Sequence, residues 1–142
     1  MVSLKDLYYS DSKVEFTVTL KSKEQIEEIY RYNLISSMNF GYSRNSQEIV
    51  LTTLDIDTLI DQVKNINNSQ SYGIITLLEP DLQFLYVKSE DDLLELYITI
   101  DSGLVNAKMA TETGPALKLI TSKEKLITWI NEIQVMLNKL EK

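Results

Sequence analysis

The sequence contains no cysteine and no histidine. Without thiols there can be no disulfide, no thiolate nucleophile and no cysteine metal site. Without imidazole, the Ser-His-Asp and Cys-His designs and histidine-bound zinc are excluded. Glycine is scarce: Gly41, Gly73, Gly103 and Gly114 are too scattered to form a phosphate-cradling loop. No apolar run reaches about 18 residues, so no membrane-spanning helix is expected. The first residues, MVSLKDLYYSDSK, lack a basic segment followed by an apolar one, so no secretory signal is expected and the cytoplasm is the expected compartment.

Charge is also unbalanced. With 21 acidic and 14 basic residues, the chain carries a formal net charge of −7. That sign opposes direct binding to nucleic acid and favours a basic protein partner. The charge is concentrated between Glu79 and Asp101. There Glu79, Asp81, Glu90, Asp91, Asp92, Glu95 and Asp101 face a single base, Lys88.

A chain of 142 residues is long enough for one domain over residues 1–142, with residues 1–13 read as a polar lead-in with Leu7, Tyr8 and Tyr9, whose two tyrosines are expected to pack on the domain. Val14 to Leu20 alternates as a half-buried strand. Ser22 and Gln25 have capping-box spacing, and Ile26, Ile29, Tyr30 and Leu34 make a helical stripe. Gly41 is the expected positive-φ position of a following loop. Glu48 to Thr53 reads as a strand. Asp55 reads as the cap of a helix with Ile56, Leu59, Ile60, Val63 and Ile66 inward. The sequon Asn67-Asn68-Ser69 follows in a polar loop. Tyr72 to Leu78 is a further strand.

The acidic stretch itself reads as a hairpin turning at Ser89-Glu90-Asp91-Asp92. Leu94, Leu96, Ile98 and Ile100 share one face. The preceding strand is apolar on both faces, Leu82, Phe84 and Tyr86 against Leu85 and Val87, as expected of a strand covered on both sides. A weak strand is expected at Leu104–Met109, a turn at Gly114-Pro115, and a strand at Ala116–Thr121. Ser122 then caps a final helix striped by Leu126, Ile130, Ile133, Leu137 and Leu140. The pattern predicts an α+β fold: a mostly antiparallel or mixed sheet of about five to six strands, with helices at about 22–36, 55–67 and 122–140 packed on it. Strand, cap and hydrophobic residue recur three times, in VTLKSKEQI, VLTTLDIDTL and LKLITSKEKL. Asp55, Leu59, Ile60, Val63 and Ile66 match Ser122, Leu126, Ile127, Ile130 and Ile133 at an offset of 67. All strand-to-helix junctions obey the same physics, so this recurrence is read as architecture rather than duplication.

The chemical motifs are sparse. Ser122-Lys123-Glu124-Lys125 has the S-x-x-K spacing of serine acyl-enzymes but lacks their companion motifs, as does Ser10-Asp11-Ser12-Lys13. The turn acids lack the D-x-D-x-D-G calcium pattern, and a charged hairpin tip also protects against edge pairing. No enzyme, metal or cofactor is therefore expected. Eight tyrosines are a further resource, since tyrosine supplies interface contact and a hydrogen bond. Tyr97 and Glu95 share the hairpin's outward face, with Tyr86 expected nearby. The partner-binding set is Glu90, Asp91, Asp92, Glu95 and Tyr97.

The order of features in residues 82–140 resembles small acidic immunity proteins of contact-dependent and polymorphic toxin systems of Gram-positive bacteria. A strand pair leads to the short apolar strand LKLIT. A terminal helix then carries Ser122, Leu126, Ile127, Trp129, Ile130, Glu132 and Ile133. The resemblance implies a non-enzymatic cytoplasmic protein that binds a cognate toxin, such as a nuclease, and blocks it. The acidity alone also fits a phage or plasmid counter-defence inhibitor imitating nucleic acid, and the sheet also fits a structural adaptor that oligomerises.

Overall fold

A computed structural model describes residues 1–66, 70–79, 81–105, 109, 111 and 113–139. Among these residues the fold is α+β, with two antiparallel four-stranded sheets where one sheet was expected. Sheet A runs in chain order through β1 (Val2–Lys5), β2 (Val14–Ile26), β3 (Ile29–Phe40) and β4 (Arg44–Thr52). A short helix α1 (Tyr9–Ser12) joins β1 to β2, and α2 (Thr53–Lys64) follows β4. Sheet B runs through β5 (Tyr72–Thr76), β6 (Leu82–Lys88), β7 (Leu93–Ile100) and β8 (Ala116–Ser122). Helix α3 (Ser102–Val105) precedes β8, and α4 (Lys123–Asn138) follows it. No described helix is long and apolar enough to cross a membrane.

The helix expected at 22–36 does not form. Those residues make most of the β2–β3 hairpin, closed by Glu27-Glu28 between the paired Ile26 and Ile29. Ser22 caps nothing; its Oγ accepts from Asn33 Nδ2 at 3.0 Å across the pair. The physical reason lies in β3, which pairs with β2 along its length and with β4 from Arg31 to Asn39. Every second residue from Tyr32 to Met38 is buried, and that alternation overrides a helix-favouring local composition. Residues 1–13 are likewise no lead-in. Val2 and Leu4 are buried, and β1 pairs with β2, Leu4 opposite Phe16. Leu7 is exposed, and so, against expectation, is Tyr8, while Tyr9 lies under the Lys5 and Lys13 ammonium groups. The expected Leu104–Met109 strand begins inside α3, and its residues 106–108 lie outside the described residues, as do the sequon at 67–69 and Leu140.

The inward faces of both sheets and the apolar faces of α2 and α4 form one hydrophobic cluster. Trp129 of α4 joins the two sheets, meeting Phe16 edge-on at 5.9 Å and Phe84 at 6.2 Å. Ser122 caps α4 as expected, accepting the Lys125 N–H. In α2 the cap is Thr52, not Asp55; Asp55 returns a bond to the Thr52 N–H and completes a capping box.

Two of the three recurring junctions are therefore real, and the first is strand. Each sheet is a four-strand meander leading into a long helix, so the chain is a structural repeat. The caps Thr52 and Ser122 stand seventy residues apart, correcting the offset of 67. The same spacing separates Val50 and Ile120, the donors of a reciprocal pair of contacts. Asp81 Oδ2 accepts the Val50 N–H on the edge of sheet A at 3.2 Å. Asp6 Oδ1 accepts the Ile120 N–H on the edge of sheet B at 2.7 Å.

Candidate interaction surface on sheet B

The hairpin β6–β7 forms as read, with Leu94, Leu96, Ile98 and Ile100 buried on its inner side. At its tip the Leu93 N–H donates to the Glu90 carbonyl. The two central residues, Asp91 and Asp92, have φ of 58° and 61°. Positive φ at both centres gives the hand that matches strand twist, at a steric cost that Asp bears better than most residues. Glu90, Asp91 and Asp92 are all exposed. The turn thus brings three carboxylates together, and none is in an ion pair among the described residues.

Glu95 and Tyr97 are also together, half-buried on the outward face of β7. The Tyr97 hydroxyl donates to Glu95 Oε2 at 3.1 Å. Lys118 on β8 stands 3.9 Å from Glu95 Oε1, with its ammonium 5.9 Å from the Tyr97 ring centroid. Tyr86 does not join them. It is buried on the opposite face, stacked over Gly73, where any added Cβ would collide with its ring.

Register exposes what single residues could not. Across the outer face of sheet B one row reads Tyr72, Val87, Glu95 and Ile120, and the next Ile74, Leu85, Tyr97 and Lys118. Leu85 and Val87 are only partly covered, which corrects the expectation of a strand buried on both sides. The equivalent face of sheet A is polar, with one row of Ser3, Thr17, Ser37 and Ser46 and another of Lys5, Glu15, Asn39 and Arg44. Two meanders of the same plan thus differ in the chemistry of their outer faces, although Glu15, Thr17 and Ser37 on sheet A are themselves buried. The apolar one ends at the acidic turn, an arrangement suited to protein contact. Tyr72 and Ile74 were missed because β5 was read only as a strand. Their outward role depends on pairing with β6, although the apolar side of β6 at Leu85 and Val87 was a visible signal.

Two further acids of the charged stretch, Asp101 and Asp81, serve structure. Asp101 Oδ1 accepts the N–H groups of Gly103, Leu104 and Thr111 and the Thr111 hydroxyl. Asp81 is half-buried, and desolvation pushes its carboxyl above the usual 3.8, against the opposing pull of the Val50 N–H and Arg31. A groove of about 720 Å³ borders Asp101, Leu82, Ile100 and Leu104, and Asp101 is its one carboxylate among the described residues. A second hollow, about 590 Å³, lies beside the turn and is lined by Gln70, Ser71, Asp91, Asp92 and Lys123. Lys123 Nζ is already committed to the carbonyls of Lys64 and Ile66 at the end of α2. Ser122 is occupied as a cap, so the S-x-x-K spacing is helix chemistry. No group of three or more acids is placed to hold a metal among the described residues.

A search of curated protein sequences found no match to the chain. A family model does match: that of the immunity protein WapI-like family, over residues 32–141. The span takes in most of sheet A's β3, all of β4 and α2, and the whole of sheet B with α4, well beyond the stretch on which the resemblance was read. With most of its length matched, the chain belongs to the WapI-like immunity protein family.

Proposed function

We propose that this protein neutralises a cognate toxin inside the producing cell by binding it, without chemistry of its own, through the acidic end of sheet B. Family membership supports a toxin as the partner. The observation that carries the surface is the carboxylate group Glu90, Asp91 and Asp92, without an ion pair among the described residues, at the rim of an exposed apolar sheet face. Carboxylates so placed steer a basic partner and discriminate against others. Glu95 and Tyr97, locked to each other, continue that surface and present a fixed polar point among apolar neighbours. A basic groove, such as that of a nuclease toxin, is the complementary shape and charge. Steric cover of that groove would suffice for inhibition.

The test is the quadruple variant Glu90→Gln, Asp91→Asn, Asp92→Asn, Glu95→Gln, titrated against the toxin at several salt concentrations. Affinity is expected to fall by about tenfold or more, with a shallower salt dependence. Wild-type affinity in a variant with native circular dichroism would remove the acidic turn from the interface.

A further inference from the structure

Four strand edges bound the two sheets, and among the described residues three are blunted, two of them at a single strand position. On β8, the Ile120 N–H is taken by Asp6 and its carbonyl by the Leu7 N–H. On β4, the Val50 N–H is taken by Asp81. Strand β1 is only four residues long and ends in Lys5. Strand β5 differs. The Lys88 N–H donates to the Ser71 carbonyl, so antiparallel alternation turns Gly73 and Ile75 toward β6 and Tyr72, Ile74 and Thr76 toward the open side. The Thr76 carbonyl confirms that direction, since Gln62 of α2 reaches it from outside at 2.9 Å. Ahead of it, the main chains of Tyr72 and Ile74 face outward beside side chains 68% and 56% exposed. The strand, YGIIT, holds no lysine, proline or bulge to discourage pairing.

The geometry points to β5 as the place where the toxin docks, by adding an extended segment of its own as a fifth strand of sheet B. This rests on the toxin-binding reading and names its mode. Main-chain bonds to Tyr72 and Ile74 would give affinity, and apolar side chains of the added strand would continue the row of Ile74, Leu85 and Tyr97. Charge selects the occupant. Gln70 and Ser71, at the entrance to β5, line the same hollow as Asp91 and Asp92. An added segment carrying Lys or Arg at that end meets those carboxylates. The net charge of −7 opposes a second copy of the chain in that position.

Amide hydrogen exchange on the wild-type chain, free and bound to its catalytically inactivated cognate toxin domain, gives the primary readout. The Tyr72 and Ile74 amides are expected to exchange fast when free and at least about tenfold slower in the complex. Ile74→Pro deletes one outward N–H and leaves the β6 ladder intact, so it should weaken binding about tenfold or more. Ile74→Lys, which keeps the N–H and adds a repelling charge, serves if the proline variant fails to fold. A complex that forms while both amides stay unprotected, or that tolerates a folded Ile74 variant at wild-type affinity, overturns strand addition and leaves toxin binding standing. No complex with the wild-type chain overturns the toxin reading, and strand addition with it. A concentration-dependent homodimer abolished by Ile74→Lys assigns the edge to a second copy and also overturns the proposal.

Discussion

At the scale of single residues, Asp55 does most to join the two halves. It is fully buried, and it accepts four hydrogen bonds. One oxygen takes the Thr52 N–H and hydroxyl, at 2.8 and 3.0 Å. The other takes the N–H groups of Leu78 and Glu79, at 2.6 and 3.1 Å. Replacing Asp55 by Ala strands those donors away from water, so we expect a loss of about 3–5 kcal/mol in urea unfolding, with Asn recovering only part. Sequence reading found this residue but gave it half its work. A cap is a local matter and shows in spacing, whereas the reach to Leu78 and Glu79 depends on a fold closed over more than twenty intervening positions. The same limit hid the roles of Asp81 and Asp101, which counted at first only as charge. In contrast, Ser122 needed nothing beyond its own turn, and its role was readable in full.

At the scale of elements, the two long hairpins show how legibility depends on the turn. The β6–β7 hairpin was readable because two β-rich runs, the second alternating, flank a polar tetrad. The β2–β3 hairpin was not, because its turn is Glu27-Glu28, with Glu27 at φ 56° and no glycine or asparagine to announce it. Its strands also hold Lys, Glu and Gln, residues that favour helix in isolation. The alternation of Tyr32, Leu34, Ser36 and Met38 was the signal to follow. The acidic turn illustrates a different tension. Asp91 and Asp92 both occupy left-handed backbone, where Asn and Gly are at greater ease. The double variant Asp91→Asn, Asp92→Gly should raise stability by about 1 kcal/mol in thermal unfolding while weakening toxin binding. Stability and binding moving in opposite directions would show carboxylates retained for contact at the expense of the turn.

At the scale of the whole molecule, the repeat and its crossed aspartates matter most. The repeat is half visible in the sequence: matching caps and stripes are there, but their register is ambiguous, because a helix stripe aligns almost as well three residues away. Only the sheets fixed the spacing. The crossing contacts also carry a pH signature. Burial raises the Asp81 carboxyl above 3.8, so the folded state holds that proton more tightly than the unfolded chain does. Its contribution is full below 3.8 and is lost as pH rises through the folded value. Asp81→Asn, which still offers an oxygen to the Val50 N–H, should remove that loss. Its stability relative to wild type is expected to climb from about pH 4 and then level off, as followed by thermal melts across a buffer series.

The crossed aspartates also set a timetable for synthesis. The Val50 amide must wait for a partner made 31 positions later, and Ile120 finds one made 114 positions earlier. A chain cut short before Asp81 would therefore lack the guard on the Val50 amide and leave that margin of sheet A open to another strand.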